Sequence, residues 1–287
     1  MQTVVNMLFL SAFYMSFAIG LALVFGVMRT INYAHGALYM LGGYVLYFTY
    51  SLLHGVIPNA WIFASSLVAA AVLVGLLGAL IERLIIEPLK DQPFSIFMAT
   101  FGLAYIIQAL ALKIAGPVGK SISPIFPGII RLYGAVIPYQ RLVVLCMIFL
   151  VFGLLWMFLS QTKTGRAIRA TAQNSTGAKL QGIALPWVRV ITMIIGAGLA
   201  GLSGVLMGSV VSITPFMGGE AIWFAFIVII VGGVGSLPGA VVAAFLFGTL
   251  NTLLTSFGHG QLVGMIDAII MLLILSVVPN GLLGVKE

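Results

Sequence analysis

The stretch Leu142-Val143-Val144-Leu145-Cys146-Met147-Ile148-Phe149-Leu150-Val151-Phe152-Gly153-Leu154-Leu155-Trp156-Met157-Phe158-Leu159-Ser160-Gln161-Thr162 contains no Asp, Glu, Lys or Arg. As a helix it is long enough to cross the hydrocarbon core of a bilayer, which takes about 20 residues. Six further stretches lack those four residue types: 1–28, 30–81, 92–112, 190–219, 221–266 and 268–285. Two of them, 30–81 and 221–266, have room for two spans each. The first is broken at His54-Gly55-Val56-Ile57-Pro58-Asn59, the second at Gly232-Gly233-Val234-Gly235-Ser236-Leu237-Pro238-Gly239. The pattern predicts about nine transmembrane helices, near 6–27, 35–53, 61–81, 94–115, 142–159, 190–212, 221–233, 239–256 and 262–279. The seventh is short, so eight full spans plus a re-entrant segment fits equally.

Composition agrees. Of 287 residues, 62% are hydrophobic and 7% charged, against about 45–50% and about 25% in soluble domains. Such a chain cannot cover a water-facing surface, which excludes a soluble enzyme, and it is too apolar to be disordered. The apolar runs are continuous and lack the period-two alternation of barrel strands. The expected fold is therefore an all-α polytopic membrane protein, a single transmembrane domain over 1–287.

The net charge of +7 reports topology here, with no nucleic acid implied. Nine spans place Arg29, Arg83, Lys90, Lys163, Arg166, Arg169, Lys179, Arg189 and Lys286 on one side, and Lys113, Lys120, Arg131 and Arg141 on the other. Nine against four puts the N-terminus outside and the C-terminus in the cytoplasm. No Lys or Arg precedes Arg29, so the start lacks the basic region of a cleaved signal and reads as a retained span. The single cysteine, Cys146, excludes an internal disulfide and reads as a small core hydrophobe.

The inner loop 160–189 carries five of the thirteen basic residues and no acid. Thr164 can cap a helix on which Arg166, Arg169 and Gln173 share a face. Asn174 can end that helix, Ser175 can start a second, and Gly182 can close it. Two short helices meeting at a corner would form a docking element; a basic loop held to anionic lipid headgroups is the alternative. Loop 82–93, with both charge signs and Pro88 and Pro93, is a rigid turn or a second contact with a cytoplasmic partner. The outer loop 116–140, with four prolines, is a cap over the bundle or a contact for an external protein. Its Gly119-Lys120-Ser121 imitates the end of a phosphate-binding loop, but position 114 is Ile where that motif needs Gly.

Charge within the spans is nearly absent. Asp267 is placed to reach the outer interface, and Glu220 starts the seventh span. His35, His54 and His259 lie near span ends, as interface residues, and form no metal site. A proton- or ion-coupled carrier would be expected to carry buried charge. Its scarcity points instead to energy supplied by another subunit. Gly196, Gly198, Gly201, Gly204 and Gly208 mark close helix packing in span 6. The breaks at Asn32-Tyr33-Ala34-His35-Gly36 and at 232–240 are either ordinary turns or the broken helices of a transport pathway, hinting at an internal repeat.

In these segments the sequence resembles the permease subunits of ABC importers for branched-chain amino acids, of the LivH type. The resemblance rests on Gly20–Gly26, Asn32–Tyr44, Glu82-Arg83 with Pro88-Leu89-Lys90, Thr100–Leu103, Thr164–Ala170, Gly182-Ile183, Ala197–Gly204, Gly232–Ala240 and Pro279–Gly284, all in order. It implies a type II ABC importer permease-like fold with an internal repeat in the bacterial inner membrane. The implied partners are a second homologous permease subunit (LivM-like), two cytoplasmic ABC ATPases that bind the ATP and Mg, and an external substrate-binding protein. The chain itself would hold no cofactor and would be no enzyme. The resemblance assigns ATPase coupling to Gly165, Arg166, Arg169, Asn174, Ala178, Leu180 and Gly182. It makes Asn32, His35, Gly36, Gly233, Gly235 and Ser236 pathway or gating candidates. The competing expectations are a secondary transporter, a passive channel for a small solute, and a membrane scaffold.

Overall fold

The computed structural model describes residues 1–284; Lys286, counted above on the basic side, lies outside them. The helices are α1 (Gln2–Met28), α2 (Ala34–Leu53), α3 (Asn59–Ile81, continued by a π-helical turn, Glu82–Ile86), α4 (Pro93–Ala115), α5 (Tyr139–Gln161), α6 (Lys163–Gln173), α7 (Ser175–Leu180), α8 (Leu185–Gly208), α9 (Met217–Gly232), α10 (Leu237–Ser256) and α11 (Val263–Val277). Eight segments among the described residues are long and apolar enough to cross a membrane, the last of them Gly260–Val277, and α9 is a shorter apolar helix. The protein is thus an all-α, multi-pass membrane protein. Helix ends fall where charges and prolines interrupt the apolar stretches: Pro93 opens α4 and Pro186 opens α8, where a missing N–H costs nothing.

The connections sort into two ends. One holds the N-terminus, 54–58, 116–138, 209–216 and 257–262. The other, the basic end, holds 29–33, 82–92, 162–184, 233–236 and 278–284. α8 is the central helix. A Cβ on Gly196 would stand 3.0 Å from the Gly20 carbonyl of α1; one on Gly198 would stand 3.1 Å from the Ala71 carbonyl of α3. Gly201 and Gly204 meet Gly42 and Tyr39 of α2 backbone to backbone. In lipid, where apolar burial gives little drive, close packing of this kind holds helices together. α10 runs antiparallel to α1, Gly248 against Ser11 and Gly235 against Gly26.

α8 finishes at the N-terminal end and α10 starts at the basic end, so 209–232 carries the chain between them. Only the later part is helical. Lys120 and Ile213 exchange both backbone hydrogen bonds, at 2.8 and 2.7 Å, and Pro215 follows, so 209–216 is held extended. α9 therefore starts inside the bundle, with Gly218 on Gly36 of α2.

The 116–140 segment lies down on the bundle. It contains a hairpin that the composition did not suggest: Ile129–Leu132 (β1) pairs antiparallel with Ala135–Pro138 (β2). The turn residues Tyr133 and Gly134 have φ of 48° and 79°, the signs a type I′ turn requires. Gln140 ties the segment down, donating to Ser209 Oγ at 2.8 Å and accepting from the Phe126 N–H at 3.1 Å.

Three expectations are corrected here. Cys146 lies on the exposed side of α5, outside the core, because α5 buries only a narrow stripe through Val144, Ile148, Leu155 and Leu159. His35 is fully buried in the first turn of α2 against the Phe17 ring, 5.2 Å between centroids, because 29–33 folds back and starts α2 within the bundle. Asp267 also points inward and is fully buried. His54 and His259 are exposed near helix ends.

Candidate functional site

At the basic end, α5 turns directly into α6 through one residue. Thr162 is extended (φ −88°, ψ 154°) and serves both helices. Its hydroxyl donates to the Phe158 carbonyl at 2.8 Å and accepts from the Gly165 N–H at 2.9 Å. Thr162, and not the expected Thr164, is the cap. A capping residue must have extended backbone, and Thr164 is already inside the helix. Gly165 fits because the corner presses it on Leu159: a Cβ there would lie 2.8 Å from the Leu159 carbonyl oxygen and within 2.5 Å of its Cα.

Asn174 stands between α6 and α7, and its Oδ1 accepts from the Gly177 N–H at 2.8 Å. α7 closes at Gly182 (φ 80°). There Gly182 N–H donates to the Lys179 carbonyl at 3.0 Å and Ile183 N–H to the Ala178 carbonyl at 3.1 Å. This pair of bonds is the Schellman arrangement, which wants glycine at that position. Ile168 and Ala178 point into the protein. Arg166, Arg169 and Gln173 face outward on α6, and Leu180 is 82% exposed at the tip of α7. Arg169 also reaches the Ser160 carbonyl at 3.5 Å. The seven coupling candidates therefore form one rigid two-helix corner with a cationic face and an exposed apolar tip.

Beside the corner, Arg189 in the first turn of α8 lies 3.0 Å from Glu87 and 3.4 Å from the buried Glu82. This triad joins α8 to the turn after α3. Loop 82–93 is thereby fastened to the bundle, a link that a residue-by-residue charge count does not reveal.

The pathway candidates divide by what they touch. Asn32 is buried two residues before α2, its Oδ1 accepting from the Ala34 N–H at 3.1 Å. Gly36 lines a narrow cleft of about 60 Å³ with Tyr33, Tyr105, Gln108 and Gly218. Ser236 caps α10, its Oγ accepting from the Gly239 N–H at 3.1 Å. Gly235 (φ 77°) packs on Gly26; Gly233 (φ 104°) packs on Gly281 and Gly284. The chain after Val278 completes this junction: Leu282 and Leu283 N–H donate to the Val231 and Gly232 carbonyls at 2.7 and 3.0 Å. These would otherwise be orphan acceptors at the end of α9. The structure does not gather the six residues into one cavity. It makes them two helix starts, at 32–36 and 233–236.

A wider cleft lies elsewhere, near the N-terminal end, and the sequence did not point to it. A cleft of about 560 Å³ is bounded by α1, α9, α10 and α11 and lined by Tyr14, Glu220, Trp223, Phe224, Asn251 and Thr255, among others. In its wall, Asn251 Nδ2 donates to Tyr14 Oη at 3.0 Å and to Asp267 Oδ2 at 2.9 Å. The usable signal was position. Asn251 and Asp267 lie about equally far from the 257–262 turn, where antiparallel helices bring residues together.

A polytopic bundle with a cationic corner at one end and an open cleft near the other fits a membrane transport component. The chain is a member of the branched-chain amino acid transport system permease family, whose family model matches residues 3–275. It is similar to the high-affinity branched-chain amino acid transport system permease protein LivH of Salmonella typhimurium: 29% identical, over 100% of this chain and 96% of the relative. The corresponding protein BraD of Pseudomonas aeruginosa gives the same identity and coverage. The fructose import permease protein FruG of Bifidobacterium longum is 28% identical over 70% of this chain and 63% of the relative.

Proposed function

We propose that this chain is a permease subunit of an ATP-driven importer for branched-chain amino acids or related small polar solutes in the bacterial cytoplasmic membrane. It forms half of the pathway, the other half coming from a second, homologous permease. An external binding protein delivers substrate, and two cytoplasmic ATPases bind the nucleotide. The chain performs no covalent chemistry.

The observation that carries this reading is the α6–α7 corner. Its caps at Thr162, Asn174 and Gly182 fix its shape, and Ile168 and Ala178 fix it to the bundle. A force applied to Arg166, Arg169 and Leu180 is therefore passed to α5 and α8 instead of being absorbed. ATPase closure biases the permease pair between outward and inward openings only to the extent that the partner binds the two states differently. The junctions at Asn32–Gly36 and Gly233–Ser236, where α2 and α10 begin and α9 ends, are the places where these helices change angle.

The double change Arg166→Glu and Arg169→Glu reverses the charge of the docking face without touching the buried anchors. Uptake is expected to be lost, while the variant stays in the membrane and the binding protein still holds substrate. Uptake at the wild-type rate would remove the coupling assignment.

A further inference from the structure

Two buried acceptor atoms beside the cleft have no partner among the described residues: Asn251 Oδ1 and Asp267 Oδ1. Asn251 is 1% exposed and lines the cleft, and Asp267 is fully buried. Both amide-derived hydrogen bonds of Asn251 are spent on Tyr14 and Asp267, so its carbonyl is left over as an acceptor in the wall. Buried polar atoms are rarely left so, and each exception calls for a cause. Glu220 adds a carboxylate at the exposed rim. None of the residues lining the cleft is Lys, Arg or His. The remaining walls, Leu10, Trp223, Phe224 and Val263, are apolar. Acceptors on one side, hydrocarbon on the other and no positive charge describe a receptor for a primary ammonium group carrying an aliphatic body.

We propose that this cleft binds the ammonium group of an aliphatic amino acid in transit at the Glu220 carboxylate of its rim, with the enclosed Asn251–Asp267 pair as the polar wall behind it. Asp267 is a positioning residue. It lies one 2.9 Å hydrogen bond behind Asn251, fixes the orientation of that amide, and adds negative charge that favours a cation. Tyr14, which accepts from Asn251, keeps its own O–H proton free for the substrate carboxylate. The inference rests on the reading of the chain as an amino acid permease and names the residues by which it would select its substrate class.

The test uses the full chain in nanodiscs of zwitterionic lipid, with empty nanodiscs as the blank and ligand-observed NMR as the readout. The probes are leucine, isopentylamine (no carboxylate) and 4-methylpentanoate (no ammonium). Leucine and isopentylamine are expected to bind, and 4-methylpentanoate to bind at least about tenfold more weakly, the difference one charge-assisted hydrogen bond makes. Glu220→Gln, at an exposed position that folding does not need, should weaken both amines about tenfold. Asp267→Asn should weaken isopentylamine while leaving the weak 4-methylpentanoate signal unchanged, a selectivity that mere loosening of α11 would not produce. The proposal is overturned if no probe binds, if the acid binds as well as the amine, or if neither variant changes amine binding. The importer reading fails separately: the Arg166→Glu, Arg169→Glu variant must lose uptake in cells yet keep leucine binding in nanodiscs.

Discussion

Gly42 has the carbonyl of Gly201 where a side chain would begin, and Gly204 has that of Tyr39. Both obstacles are backbone, so neither can rotate away. Gly42→Ala should therefore push α2 from α8 and cost about 1–3 kcal/mol, read as a lower thermal midpoint in detergent. Gly102→Ala and Gly153→Ala, where a Cβ meets nothing within 4 Å, should keep the midpoint or raise it, since alanine is the better helix former. Equal losses at all three positions would show that the α2–α8 contact does not set the cost. The spacing of the α8 glycines told of close packing, but not that they face three different helices. One helix face is written in the local sequence, whereas its partners are set by the whole arrangement. The same limit hid the wall of the cleft. Asp267 looked like a carboxylate on its way to the interface, because the amide that receives it, on Asn251, lies 16 positions away and is itself tied to Tyr14, 237 positions further back.

Among the elements, the eight long helices were legible because charges and prolines mark their ends. The β1–β2 hairpin was not: Tyr133-Gly134 lacks the Asn or Asp that marks such a two-residue turn, and the surrounding prolines made the segment read as loop. The end of α9 was legible at the Gly232–Gly239 break, but what satisfies it was not. Its last carbonyls are satisfied by Leu282 and Leu283, about fifty residues later, so nothing near Gly232 in sequence shows how the helix can stop inside the bundle. Ending the chain after Val278 should leave the Val231 and Gly232 carbonyls unpaired. Each costs about 1–3 kcal/mol when buried. Amide exchange at 229–240 should then speed up by at least about tenfold, while that of α3 and α8 stays slow. Unchanged exchange at 229–240 would mean that the terminal segment rests on α9 without holding it.

For the whole molecule the question is which end faces the cytoplasm. The described basic end carries Arg29, Arg83, Lys90, Lys163, Arg166, Arg169, Lys179 and Arg189, and the N-terminal end Lys113, Lys120, Arg131 and Arg141. Two of the latter four are engaged by the protein itself. Arg141 donates to Asn6 at 3.2 Å and lies over the Phe9 ring, and Lys120 lies over the Tyr47 ring. These are local packing roles, which weakens them as votes for a cytoplasmic location. Lys90, Arg169 and Arg189 at the basic end are engaged in the same way, so the excess of eight over four stands, and Lys and Arg in short connections orient the chain. The orientation can be read with two cysteines placed in a Cys146→Ser background: Tyr133→Cys at the hairpin tip and Leu180→Cys at the tip of α7, positions 83% and 82% exposed. A membrane-impermeant maleimide should label position 133 in intact cells and position 180 only after the membrane is opened. Position 180 should also become protected when the ATPases are co-expressed, because the docking face and the cytoplasmic face are then the same surface. Labelling of 180 in intact cells would invert the molecule, and with it the assignment of α6–α7 to the ATPases.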